Sequence, residues 1–129
     1  MKNNYKLGAI LSVFGIVAGL LLFYFLAQTY NNVIDAHVDV GRWDEGNTVR
    51  FVYPFLGWFG TAAAAVWGAV LWGFLNKQPW AWFWGAVAAT IQLLAGFFPM
   101  IPAADSGLPV PTMIVFFVAA VLWFGMLLI

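Results

Sequence analysis

Residues 7–27 read LGAILSVFGIVAGLLLFYFLA, a run without one charged side chain. The hydrocarbon core of a bilayer is about 30 Å thick and takes about 20 helical residues, at about 1.5 Å each, to cross. This run is long enough. Lipid offers peptide groups no hydrogen bonds, so a segment this apolar must satisfy its backbone internally, as a helix. Lys2 and Lys6 precede it, as in a secretory signal peptide. Such peptides, however, carry a shorter apolar stretch, about 7–15 residues, and end in small residues at the cleavage site. Here Phe25-Leu26-Ala27 places a phenylalanine where a small residue is needed. An uncleaved span is expected.

Three further runs lack charge: residues 51–75, 80–100 and 111–129. The expected fold is therefore an all-α integral membrane protein, one domain over residues 1–129, with four transmembrane helices in an antiparallel bundle. The spans fall at about 7–29, 51–75, 80–100 and 111–129. Residues 30–50 and 101–110 form outer loops, and 76–79 a tight inner turn whose Asn-Lys-Gln-Pro sequence is turn chemistry. Pro54 falls in the first turn of the second span, where a missing N–H does least harm. The last span is near the lower limit for crossing.

Composition agrees. The chain is 64% hydrophobic and 8% charged, against about 25% charged for a soluble domain, so its surface calls for lipid rather than water. Five basic and five acidic residues give no net charge, which removes the basic face that nucleic acid requires. With no cysteine, disulfides and thiolate metal sites are excluded.

Orientation follows from basic residues in the short connections. Lys2, Lys6 and Lys77 fall on one side, Arg42 and Arg50 on the other. The first span usually dominates, so both termini are expected in the cytoplasm and the 30–50 loop outside a cell (plasma or inner) membrane. Trp72, Trp80, Trp82, Trp84 and Trp123 gather near the expected inner interface, and Tyr24, Tyr30, Tyr53 and Trp58 near the outer one. Two aromatic belts are the reading.

Without a hydrophobic drive between helices in lipid, small residues that let backbones approach become the packing signal. Gly57, Thr61, Ala65, Ala69 and Gly73 recur at every fourth position of the second span, beside Gly60, Ala64 and Gly68. The first span offers a GxxxG at Gly15 and Gly19, the third Gly85 and Ala89. Spans one to three are expected to pack tightly with span two central. Span four, rich in Val, Leu and Phe, is expected to be looser and more lipid-exposed, or to meet a partner protein. On this reading Ala65→Leu disrupts folding or assembly.

Little in the sequence carries chemistry. No Asp, Glu, Lys, Arg or His lies inside the four spans, and such residues mark proton relays and coupled transport. Small multidrug carriers are also four-span chains of similar size, but rely on a glutamate within the first span, and residues 7–27 contain none. Gln92, about midway along the third span, is the deepest amide and needs a partner in hydrocarbon. Thr61, Ser12 or a backbone carbonyl is expected to supply it. In the 30–50 loop, Ile34, Ala36, Val38 and Val40 alternate with Asp35, His37 and Asp39. Period two suggests a short β-ribbon, with residues 48–52 as the partner strand and an interfacial helix as the competing reading. On a strand, Asp35, His37 and Asp39 would project together as weak candidates for a metal ion. No cofactor and no catalytic constellation is expected.

The sequence thus supports a non-enzymatic function: a structural or accessory subunit of a larger respiratory, photosynthetic or transport complex. The alternatives are a channel or carrier built from copies of the chain and, more weakly, a lipid- or isoprenoid-binding membrane protein. The expected partners are the bilayer and other membrane subunits or copies of itself, with no nucleic acid.

Overall fold

The computed structural model describes residues 4–105, 107 and 111–128, with the side chains of Ala103 and Asp105 outside the description. Of the expected 101–110 loop, residues 106 and 108–110 lie outside the described residues, as do Lys2 and Ile129. The described residues form five helices: α1 (Tyr5–Val38), α2 (Trp43–Leu75), α3 (Trp80–Phe97), α4 (Met100–Asp105) and α5 (Thr112–Leu128). No strand occurs among them. Three helical stretches, Tyr5–Val38, Trp43–Leu75 and Trp80–Pro102, are long and apolar enough to cross a membrane, while α5 is shorter.

The largest departure from the sequence reading is the 30–50 segment, which is neither a loop nor a ribbon. α1 runs on for 34 residues and α2 starts at Trp43, so only residues 39–42 connect them. The alternating pattern is outweighed by a helical one. Val33, Ile34 and His37 are buried on one face of α1, while Asn31, Asn32, Asp35 and Asp39 are exposed. Gly46, Val49, Tyr53 and Leu56 form the matching buried face of α2. The turn is set by Gly41, whose φ of 82° is open to glycine without a steric penalty. It forms a Schellman closure: the Arg42 amide donates to the His37 carbonyl at 2.8 Å and the Gly41 amide to that of Val38 at 3.0 Å. Asp44 and Glu45 in the first turn of α2 suit the positive end of its dipole.

Pro54 consequently lies well inside α2 rather than in its first turn. Lacking an N–H, it leaves the Arg50 carbonyl without its helical donor. The Tyr30 hydroxyl of α1 donates to that carbonyl at 3.4 Å. Pro99 and Pro102 likewise end α3 and shape the short α4, so the 101–110 segment begins as helix.

α1 and α2 pack along their lengths. A Cβ on Gly19 would lie 2.6 Å from the Gly60 carbonyl, and one on Gly60 would lie 2.9 Å from that of Gly19. Farther along, Gly8 faces Phe74, Gly15 faces Trp67, and Gly46 faces Val38. α3 packs on α2 and α5. Contrary to expectation, α5 is not loose: Val115, Ala119, Leu122 and Met126 are buried, and Gly125 meets Leu11 of α1. Two apolar clusters result. One joins Leu22, Leu26, Val33, Val49, Tyr53 and Val115; the other joins Trp67, Phe74, Trp82, Ala88, Leu122 and Met126.

Candidate functional site

Between these clusters the interior holds a polar link across three helices. Gln92 of α3 and Trp67 of α2 are both fully buried. The Trp67 indole N–H donates to Gln92 Oε1 at 3.0 Å, and Gln92 Nε2 donates to the Gly15 carbonyl of α1 at 2.7 Å. The indole ring is seated by two glycines. A Cβ on Gly15 would overlap it, and one on Gly85 would lie 3.3 Å from its Cζ3 and 2.5 Å from the Met126 sulfur. Glycine is required here by close approach of a ring, not by backbone conformation. The link engages the indole N–H, the amide oxygen and the amide nitrogen, as a group in an apolar medium must be engaged.

Gln92 therefore takes its expected carbonyl partner, on Gly15. Thr61 and Ser12 are not its partners; each donates to a carbonyl of its own helix, Gly57 at 3.3 Å and Gly8 at 2.8 Å. Trp67 is the participant sequence reasoning missed. The signal was its position: it sits in the middle of the 51–75 run, far from either interface where an indole N–H finds water.

The packing residues divide. Gly15, Gly19, Gly57, Gly73, Gly85 and Ala89 are buried at helix contacts, and Thr61 is half-buried. Ala65 and Ala69 are exposed. Every fourth residue advances about 40° around a helix, because four steps of about 100° overshoot one turn. The stripe therefore winds from α1 at Gly57, which faces Phe23, to α3 at Gly73, which faces Trp80 and Ala81. Its middle points away from both. With Ala62, these alanines form an open face between the exposed Trp58 and Trp72.

The expected aromatic belts also divide. Trp58, Trp72, Trp80, Trp84 and Tyr24 are exposed, but Tyr53 and Trp82 are buried. Tyr53 Oη donates to the Pro99 carbonyl at 3.0 Å, tying α2 to the end of α3.

Asp35, His37 and Asp39 do not converge. Residues 35 and 37 are two apart on a helix, hence on opposite sides. Asp35 and Asp39 are exposed, whereas His37 is buried. Its Nδ1 lies 2.8 Å from the Val33 carbonyl, which only accepts, so Nδ1 is the donor of that contact. Among the described residues no group of three metal-ligating side chains gathers.

His37 instead lines a groove of about 560 Å³ between the start of α2 and α4. Val49, Val52, Phe55, Leu56, Phe98 and Ile101 give it apolar walls, and Arg42, Glu45 and Thr48 give it a polar end. Arg42 Nε donates to Glu45 Oε1 at 3.4 Å across that end. A smaller groove of about 330 Å³, between α1 and α2, is bounded by Phe23, Tyr30, Pro54 and Trp58. Tyr53 lines both.

Compared with protein families, curated proteins and solved structures, the chain matches none.

Proposed function

We propose that this protein is a multi-pass membrane protein, an antiparallel bundle of four spans with α5 as the fourth, acting as a structural or accessory subunit of a larger membrane complex. The observation that carries the reading is the filled interior. The deepest polar groups, those of Gln92 and Trp67, bind helices to each other, and glycines bring ring and backbone into contact around them. An interior spent on its own cohesion leaves the outer surface to act. On that surface, α2 turns Ala62, Ala65 and Ala69 outward between Trp58 and Trp72, a surface on which a neighbouring helix can approach closely.

In this reading both termini are cytoplasmic and the α1–α2 turn is outside a plasma or inner membrane. α1, at 34 residues, is about 51 Å long and exceeds the roughly 30 Å hydrocarbon core, so the α1–α2 pair stands clear of the lipid at that end. A cysteine replacing the exposed Asn47 should react with an impermeant thiol reagent on intact cells; labelling only after lysis reverses the orientation.

The assembly reading is tested by mild detergent extraction, affinity purification and mass spectrometry. Stoichiometric co-purification with other membrane subunits, lost on Ala65→Leu while the helical fold persists, is the expected result. A solitary chain, or a homo-oligomer that conducts in liposomes, refutes it.

A further inference from the structure

We propose that the turn between α2 and α3 binds one anionic phospholipid, with its phosphate on Lys77 and its glycerol region against Trp72 and Trp80. The inference rests on the chain sitting in a bilayer, as read above, but needs neither a protein partner nor one orientation.

The turn carries a residue that its backbone does not favour. α2 closes as α1 does: the Gln78 amide donates to the Gly73 carbonyl at 2.8 Å and the Lys77 amide to that of Phe74 at 3.2 Å. The spacings are those of the α1 closure by Arg42 and Gly41. Lys77 therefore stands where Gly41 stands, at a φ of 54°. Glycine is the usual residue at that position, and a Cβ is penalised there. Among the described residues Lys77 is the one non-glycine with positive φ. Residues held in such conformations cluster where a side chain serves a ligand. The ammonium, rather than the turn, accounts for the lysine.

The surroundings of that ammonium choose an anion. All five Asp and Glu residues fall at the opposite end of the helices, in residues 35–45 and at 105. At this end the start of α1 packs on the end of α2, with the Tyr5 and Phe74 rings 6.4 Å apart, and adds a second exposed cation, Lys6. Trp72 and Trp80 bracket the turn, both exposed, with their rings stacked at 6.4 Å and 21°. Indoles settle at headgroup depth, so Lys77 lies at the level of the phosphates. A lipid of net negative charge satisfies the cations of this end. Ethanolamine and choline headgroups bring a cation of their own toward them. A soluble anion gains nothing from the indoles.

The purified full-length protein, reconstituted in nanodiscs of equal parts phosphatidylglycerol, phosphatidylethanolamine and phosphatidylcholine, is released and weighed by native mass spectrometry. One phosphatidylglycerol should be retained per chain in preference to the others. Lys77→Gln should lower that retention about fivefold, the effect of about 1 kcal/mol for one basic residue near a headgroup. Lys77→Arg should keep it. Lys77→Gly separates binding from folding: retention should fall as in Lys77→Gln, while the unfolding midpoint in uncharged detergent holds or rises, because glycine suits a φ of 54°. Equal retention of all three lipids, retention unchanged in Lys77→Gly, or displacement of the lipid by inorganic phosphate would each overturn the proposal. Failure of the chain to enter nanodiscs would overturn the membrane reading with it, whereas entry without lipid preference overturns this inference alone.

Discussion

The Trp67–Gln92 contact invites a double-mutant cycle. Gln92→Leu keeps the side-chain volume roughly constant but strands the Trp67 indole N–H, which is fully buried. The Gly15 carbonyl is less affected, since it sits inside α1 and loses only a second donor. A stranded buried donor costs about 1–3 kcal/mol in proteins generally. Hydrogen bonds between helices in membranes are weaker, averaging about 0.6 and reaching about 1.7 kcal/mol, because the unfolded chain in lipid also finds partners. Full burial and distances of 3.0 and 2.7 Å put this link in the upper part of that range. Gln92→Leu is therefore expected to cost about 1–2 kcal/mol. Trp67→Phe costs more, about 2–4 kcal/mol, because it also opens a cavity against Gly15 and Gly85. The double variant should fall short of the sum by about 1–1.5 kcal/mol, since the cavity term cancels in the cycle and the hydrogen bond does not. Reversible unfolding in mixed detergent and dodecyl sulfate micelles reads all four proteins. Additivity to within about 0.3 kcal/mol would show that the two side chains are neighbours without being partners.

The same assay separates the small-residue positions. Gly19→Ala drives a methyl group onto the Gly60 carbonyl and should cost about 1–3 kcal/mol, whereas Gly68→Ala meets nothing within 4 Å and should be neutral or stabilising by up to about 1 kcal/mol. Ala65→Leu should change stability by less than about 0.5 kcal/mol, because the side chain projects from the bundle; a loss of more than about 2 kcal/mol would restore Ala65 to the core. Tyr30→Phe should cost about 0.5–1.5 kcal/mol in the parent and nothing beside Pro54→Ala, whose restored amide supplies the Arg50 carbonyl. An equal cost in both backgrounds would mean that Tyr30 acts through its ring alone.

What the sequence made legible was whatever hydrocarbon alone dictates. Residues 7–27 must be helical wherever they go, and a deep amide such as Gln92 must find a partner. The extent of α1 was not legible, because past Gln28 the chain becomes polar enough for water, and period two and period 3.6 then overlap across a few residues. Ile34 and Val38 fit both. Only Val33 and His37, buried beside Ile34, and the matching Gly46, Val49 and Tyr53 on α2 separate them, and that match exists only once the two segments are paired. Gly41 was visible as a turn residue, but nothing local distinguishes a turn between strands from a Schellman turn between helices. Trp67 was missed because eight tryptophans in so apolar a chain suggest interfaces first.

The stripe on α2 shows why small residues at fixed spacing do not define one packing face. A true seam must follow the turn of the helix, mixing steps of three and four, as Gly60, Ala64, Trp67, Val70 and Phe74 do; all five are buried. Steps of four alone drift, and over the sixteen residues from Gly57 to Gly73 the drift is about 160°, nearly half a turn. One repeat therefore visits three environments: α1 at its start, open surface at Ala65 and Ala69, and α3 at its end. The drift gives a single helix small residues for two neighbours inside the chain and leaves a third set facing outward. Glycine stands at the two enclosed ends, where Phe23 and Trp80 leave little room for a methyl group, and alanine at the open middle, where there is room to spare. The choice of residue at each position thus follows the space its neighbours leave.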